Sequence, residues 1–456
     1  METTRPAFAF LKKTMPRPAF KRLAPAYHAA LAFFAALRYG FPSRRLVVIG
    51  VTGTNGKTTV VHLLHEIFRA AGFGVASASS QRFKVNDAEE PNLMKMTMPG
   101  RGWLQRFLGR CRREGCRYAI LEVTSEGIAQ SRHRFVRFAG AVLTNVRPEH
   151  IESHGGFERY RQAKIELFRR LPQDGFAILN REDESAPRFA EATAARVAWY
   201  SSSAIDVPGV GYPVRMVATG ADRLELEVGG VLLESRLGGR FNAMNALAAA
   251  AAGLAFGVSL AVIADALRRF PGVPGRLEFV QRKPFAVVVD YAVTPDALEA
   301  VYIALSGGSP KSDLRPEDVR PSSVEGFKSR ETRNSKLVCV FGAAGGGRDK
   351  WKRPKLGKIA GEFCKAVILT SDDPDDEDPT QIVSEIRSGM TSDQLRTTET
   401  ILDRREAIRE ALRAAKPGDT VIITGMGAQP WFVAYGGKKI PWDERAVVRE
   451  ELTKLQ

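Results

Sequence analysis

Cysteine is scarce in this chain, and no long uncharged apolar run interrupts it. Cys111, Cys116, Cys339 and Cys364 are the four cysteines of 456 residues and show no Cys-x-x-Cys spacing. That excludes a disulfide framework and a structural zinc site, and reads as buried thiols in a reducing, cytoplasmic setting. The apolar segment at 26–37 is too short to span a bilayer and has no small-residue cleavage site behind it. Lys21, Arg22 and Arg38 flank it, so residues 20–40 read either as a helix packed on the body of the protein or as a peripheral helix at a membrane surface. Nucleic-acid-binding signatures are missing too, although the net charge is +16. Because Lys and Arg are spread along the chain, no nucleic-acid partner is expected, and an acidic small molecule suits the charge better. With 44% apolar and 26% charged residues, the composition is that of a globular protein of two or three domains.

What the chain does carry is a glycine-rich turn. Residues 50–59 read Gly-Val-Thr-Gly-Thr-Asn-Gly-Lys-Thr-Thr, after the apolar run Leu46-Val47-Val48-Ile49 and before a helical pattern. Strand, turn and helix in that order form a phosphate cradle, because glycines let successive N–H groups converge on phosphate oxygens at the positive end of the helix. Gly53, Thr54, Asn55, Gly56, Lys57, Thr58 and Thr59 are therefore the candidate nucleotide-binding residues. Lys57 is expected to reach the β- and γ-phosphates and Thr58 to ligate Mg²⁺. The generic pattern places its first glycine at 51, which is Val51 here.

Strand-like runs alternate with helical patterns along the rest of the chain, which predicts an α/β protein with mostly parallel sheets. Residues 1–45 read as a short helical segment, 46–272 as a P-loop ATPase domain, and 273–456 as a Rossmann-like second α/β domain. Pro271, Pro274 and Gly275 mark the hinge. Within the first domain, Pro213 to Arg236 alternates in strand fashion and Asn242 to Ala264 reads as one alanine-rich helix. A mobile loop is expected over about 306–335.

Four further residues stand out. Glu122 ends the apolar run Tyr118-Ala119-Ile120-Leu121, where open α/β sheets place ligand-contacting groups. His150 and His154 follow the strand that ends at Thr144-Asn145, close in sequence to a candidate metal carboxylate. Lys164 falls on the apolar stripe of the helix 157–171 with Tyr160, Leu167, Phe168 and Leu171. It is either a snorkelling lysine or a buried amine of lowered pKa.

Together these motifs resemble the Mur ligase family of ATP-dependent amide-forming enzymes, most closely its UDP-N-acetylmuramoyl-tripeptide synthetase branch. The resemblance runs from about 46 to 448 through Gly53 to Thr59, Glu122-Val123-Thr124-Ser125, Thr144-Asn145, Glu149-His150, His154-Gly155, Ala163-Lys164, Phe241-Asn242 with Asn245, Gly275-Arg276, Asp290-Tyr291-Ala292, Gly345 to Pro354, and Asp403-Arg404. It implies addition of an amino acid to a muramoyl-peptide precursor of peptidoglycan through an acyl phosphate, with ATP and Mg²⁺. It implies catalytic roles for Lys57, Glu122, His150 and Lys164, and metal contacts from Thr58, Glu122, His150 and a carbamylated Lys164. Asn242, Asn245, Arg276 and Asp290 would meet the nucleotide. Thr124, Ser125, Arg132, Arg348, Asp372, Asp373 and Asp375 would face the muramoyl peptide and the free amino acid.

Departures from the family pattern shape the expectation. Residues 1–45 replace the domain that grips UDP, leaving the acceptor UDP-linked or lipid-linked. Val293 replaces a histidine expected beside the nucleotide. Asp375 stands where diaminopimelate-selecting members carry arginine, which favours a basic amino acid. Gly425-Met426-Gly427-Ala428-Gln429 lacks the charges expected there. The alternatives are an amide ligase of the same fold acting on lipid-linked peptidoglycan, a folate or a poly-amino acid, and a non-catalytic nucleotide-binding scaffold.

Overall fold

The computed structural model describes residues 17–306 and 336–455. Apart from Ser306, the loop expected over 306–335 lies outside them. The first helix, α1 (Arg17–Arg38), packs against the helix Arg101–Arg113 and leads into the larger of two main sheets. That sheet comprises β1 (Val47–Thr52), β2 (Val75–Ala78), β3 (Arg82–Val85), β4 (Ala88–Pro91), β5 (Tyr118–Glu122), β6 (Phe138–Leu143), β7 (Phe176–Asn180), β8 (Arg196–Tyr200), β9 (Ala204–Val207), β10 (Val210–Thr219), β11 (Leu224–Val228) and β12 (Val231–Ser235). Its order is β12-β11-β10-β9-β8-β7-β6-β1-β5-β2-β3-β4. The stretch from β8 through β1 to β2 is parallel, as the apolar runs predict, and antiparallel strands extend both edges.

Two helices sit where the site needs them. α2 (Lys57–Ala70) follows β1, and α3 (Phe157–Arg169) precedes β7. The alanine-rich pattern forms α4 (Arg240–Ala255), whose fully buried Ala246 and Ala248 to Ala252 share a core with Val60, Val61, Leu64 and Ile67 of α2. Side chains this small let the two helix backbones approach closely. The predicted single helix 242–264 is broken, because Gly257 turns at φ 84° and Ser259 caps a new helix, Leu260–Arg269, by accepting from the Val262 N–H.

The smaller sheet contains β13 (Glu278–Gln281), β14 (Ala286–Asp290), β15 (Leu337–Phe341), β16 (Ala366–Leu369), β17 (Thr398–Thr400) and β18 (Thr420–Thr424), in the order β13-β14-β18-β15-β16-β17. All its pairings are parallel except that of β13 with β14. One expectation is corrected here: Cys339 and Cys364 are joined by a disulfide, with Cα atoms 6.1 Å apart. Their separation of 25 residues gives no sequence signal because the crossover helix between β15 and β16 fills it. Cys111 and Cys116 are buried free thiols, as expected.

Arg404 ties the smaller sheet together. Its guanidinium pairs with Glu444 at 2.5 Å and donates to the Thr424 carbonyl at 2.8 Å and the Ser371 carbonyl at 3.2 Å. Both charged side chains are essentially inaccessible, at 2% and 0% exposure. Removing one partner strands the other charge in a low-dielectric interior. Arg404→Met is therefore expected to destabilise the protein by about 3–5 kcal/mol, read as a lowered urea midpoint. The double variant with Glu444→Leu is expected to recover most of that loss.

Candidate active site

β1 lies between β5 and β6, so the carboxyl ends of the three strands meet above the phosphate loop. Gly53 and Gly56 adopt φ of 147° and 84°. A Cβ at Gly53 would stand 1.9 Å from Thr144 Oγ1, and one at Gly56 would stand 2.2 Å from Asn245 Oδ1. The loop is held from the β6 side: the Thr54 N–H donates to the Asn145 carbonyl at 2.8 Å and the Asn55 N–H to Asn145 Oδ1 at 3.0 Å. Thr144 Oγ1 donates to the Asn55 carbonyl at 2.7 Å. Lys57 Nζ reaches the Thr54 carbonyl at 2.7 Å. Burial pulls its pKa down and nearby Arg276 adds to that, while Glu122 opposes them.

Glu122 is buried, and its Oε2 accepts from Thr58 Oγ1 at 3.0 Å and from the Ser80 N–H at 2.9 Å. A carboxylate beside a hydroxyl at the mouth of a phosphate loop is a donor set that suits a hard cation such as Mg²⁺. His150 is held down to about 4, mainly by desolvation, with Lys57 adding to it and Glu126 opposing. Its imidazole is therefore neutral at pH 7 and has a lone pair to offer. Glu149, His150 and Asp349 place donor atoms within 4.8 Å of one another, and they form the only such group of three among the described residues. Glu122 is not part of that group.

Lys164 is 1% exposed. Its Nζ donates to the Gly53 carbonyl at 2.7 Å and lies 4.5 Å from the Tyr160 ring centre. Burial, helped by Lys57 and opposed by Glu122, drives its pKa well below the ordinary lysine value. It is therefore the buried amine and not the snorkelling one, braced against the back of the phosphate loop.

A cleft of about 650 Å³ runs from this cradle to the carboxyl ends of the smaller sheet. Thr54 to Thr59, Glu122, Thr124, His150, Asn242, Asn245, Arg276, Asp290, Arg348, Asp372 and Asp373 all line it. Gly53 and Lys164 stand behind the loop, and Ser125, Arg132 and Asp375 are outside the lining. Ser125 Oγ faces His154 Nε2 at 3.1 Å, Arg132 donates to Gln130 Oε1 at 2.7 Å, and the Asp375 carbonyl accepts the Gly436 N–H at 2.7 Å. Asp290 accepts the Leu277 N–H at 2.6 Å, and burial raises its carboxyl to about 6 against the pull of Arg276. Arg276 itself stacks over Tyr291 at 4.3 Å, and Val293 also lines the cleft.

Among the lining residues that sequence reasoning missed are Lys95, Asp349, Lys352 and Trp431. Lys95 pairs with Asp373 and donates to the Trp431 carbonyl at 3.2 Å, so the ammonium that Asp373 attracts is one of the chain's own. Lys352 lies 3.3 Å from Glu149. Asp349 and Lys352 fall in the Gly345 to Pro354 run, which flagged the segment without singling them out. Lys95 sits in an irregular stretch with no periodicity to mark it.

Comparison with known proteins agrees with this geometry. A family model described as Mur ligase middle domain matches residues 51–253, and one described as Mur ligase, glutamate ligase domain matches 322–427. The chain is 38% identical over 430 residues to a UDP-N-acetylmuramoyl-L-alanyl-D-glutamate–2,6-diaminopimelate ligase of Gloeobacter violaceus, covering 93% of this chain and 80% of that one. It is 36% identical over 464 residues to a UDP-N-acetylmuramyl-tripeptide synthetase of a Roseiflexus strain, covering 97% and 85%. A solved diaminopimelate ligase of the same description superposes with a TM-score of 0.57 at 29% identity, covering 90% of this chain and 79% of that one.

The cradle makes a direct prediction. Gly56→Ala forces a left-handed non-glycine backbone and a clash with Asn245, so ATP affinity is expected to fall about tenfold or more in a titration with a fluorescent ATP analogue. Gly102→Ala, where an added Cβ meets nothing within 4 Å, is expected to bind as the parent does. With family models matching most of the chain and relatives above 30% identity over nearly all of it, the chain belongs to the Mur ligase family.

Proposed function

We propose that this ATP-dependent ligase joins an amino acid to the peptide carboxylate of a muramoyl-peptide precursor of peptidoglycan, in the cytoplasm, through an acyl phosphate. One observation carries the reading: a single cleft has a phosphate cradle at one end and Arg348, Asp372 and Asp373 at the other, on the facing edge of a second sheet. A nucleotide-binding scaffold has no use for the second half. In this reading residues 46–272 hold ATP and residues 273–456 bring the amino acid. The first relative's name specifies UDP-N-acetylmuramoyl-L-alanyl-D-glutamate and 2,6-diaminopimelate, and the second's a UDP-N-acetylmuramyl tripeptide.

The substrate carboxylate would attack the γ-phosphorus with ADP leaving. The amine of the amino acid would then attack the acyl carbon, expelling phosphate and losing a proton. Positioning and charge neutralisation are what such steps need. Lys57 and the loop N–H groups would orient the phosphates, with Asn242, Asn245, Arg276 and Asp290 holding the rest of the nucleotide. Thr58 would hold one Mg²⁺ at the phosphates, and Glu122 with His150 would hold a second; when bound, the two offset the phosphate charge. Burial lowers the Lys164 pKa and so favours the free amine, the form that can add CO₂: an N–C bond forms, a proton leaves, and the resulting carbamate would supply an anion beside Lys57 and the loop.

Thr124 and Arg348 would meet the acceptor and the amino acid within the cleft. With Asp373 engaged by Lys95, preference for a basic side chain rests on Asp372, whose carboxyl burial raises to about 6 while Arg404 opposes it. A peripheral membrane contact through α1 is a secondary reading, favoured by Phe34 and Leu37, which are 63% and 54% exposed next to Arg38. Among the described residues no helix is long and apolar enough to cross a membrane.

ADP release is the test. With UDP-muramoyl dipeptide as acceptor, turnover is expected to depend on added amino acid, and lysine, diaminopimelate and alanine compared in parallel rank the preference. Lys164→Ala is expected to lower kcat by about a hundredfold or more, with partial restoration by a short-chain carboxylic acid and little change in ATP binding. No amino-acid-dependent turnover with any muramoyl peptide would sink the reading.

A further inference from the structure

The loop that carries His150 is not self-supporting. His150 adopts φ 53° and ψ 29°, a left-handed conformation uncommon for any residue but glycine. The short helix that follows, Ile151–His154, is a single turn with no buried residue to anchor it. What holds the backbone comes from the other sheet. The Asp349 carboxylate accepts the His150 N–H through Oδ2 at 2.5 Å and the Ile151 N–H through Oδ1 at 3.0 Å. Asp349 is itself left-handed at φ 36° and only 3% exposed, so both sides of the contact hold unusual backbone shapes. The neighbours on either side reinforce it: the Lys350 N–H donates to Glu152 at 3.2 Å, and Lys352 pairs with Glu149 at 3.3 Å. Three consecutive contacts thus join residues 149–152 to residues 349–352.

We propose that Asp349 is a positioning residue, fixing the backbone of His150 so that the imidazole reaches its working place only when the units built on the two sheets are in contact. This rests on the reading of His150 as a metal-holding residue given above. Its consequence is an order of events: the cation beside His150 is held well only after the smaller sheet has docked, which ties the readiness of the phosphate end to the arrival of the half that brings the amino acid. Groups that orient a ligating histidine from outside are worth about 10–100-fold in metal affinity.

The test uses the full chain, a non-hydrolysable ATP analogue and Mn²⁺ as the probe, with bound Mn²⁺ counted by electron paramagnetic resonance. The parent protein is expected to bind two Mn²⁺ per nucleotide. In Asp349→Ala the weaker of the two is expected to lose about tenfold in affinity, with the other and the nucleotide unchanged, and the His150 and Ile151 amides are expected to exchange hydrogen faster. Asp349→Asn keeps one acceptor oxygen and is expected to fall between, which separates positioning from misfolding, as does an unchanged melting temperature. A parent protein that binds only one Mn²⁺ overturns the metal reading of His150 and this proposal with it. Two Mn²⁺ in the parent, with unaltered second-site affinity and amide exchange in both variants, overturns the proposal alone.

Discussion

The site depends on β1 running parallel between β5 and β6. Parallel strands end at one edge of a sheet, and the reversal of strand order around β1 opens a crevice there. The phosphate loop leaves β1, Glu122 ends β5, and Thr144 with Asn145 follows β6. Each contributes to the next: Asn145 fixes the loop's N–H groups, and Glu122 faces the first turn of α2 through Thr58. The bare glycines at 53 and 56 are consequences of this crowding, since Thr144 and Asn245 occupy the space a side chain would need.

Crowding also sets the electrostatics. Lys164 is buried and Lys57 partly so; desolvation lowers the pKa of both, and the Lys57 charge adds to the lowering at Lys164. Carboxylates counter them without cancelling the desolvation, which is the larger influence on both lysines. A polyanionic ligand in the cleft would supply the missing counter-charge. The cost of burying lysines is thus offset in the liganded state and not in the free one, so the arrangement favours nucleotide binding at the expense of stability.

How much of this could be read in the sequence follows from where each signal lies. The phosphate loop, Glu122 and Lys164 were legible because local pattern alone marks them: a glycine turn between strand and helix, an acid ending an apolar run, a lysine on an apolar stripe. The β-hairpin strands β3 and β4 were not, since β4 is Ala-Glu-Glu-Pro and exposed throughout, with no alternation to detect. Cys339 and Cys364 became neighbours only through a parallel crossover, and Lys95 met Asp373 only through apposition of two sheets 278 residues apart in sequence. Arg132, Ser125 and Asp375, carried over by resemblance, lie off the cleft because alignment transfers a position without its orientation.

The contacts between the two sheets are of a particular kind. Asp349 with His150, Lys352 with Glu149, Lys95 with Asp373, and Trp431 Nε1 with the Leu93 carbonyl are polar pairs, whereas the apolar clusters centre on one sheet or the other. An interface held by ion pairs and hydrogen bonds gains little on closing, because each group exchanges water for a protein partner at modest net benefit. A small preference is also a reversible one. A ligase that must admit a bulky acceptor, a nucleotide and an amino acid into one cleft, then release three products, requires that reversibility, and a large apolar seam between the sheets would deny it.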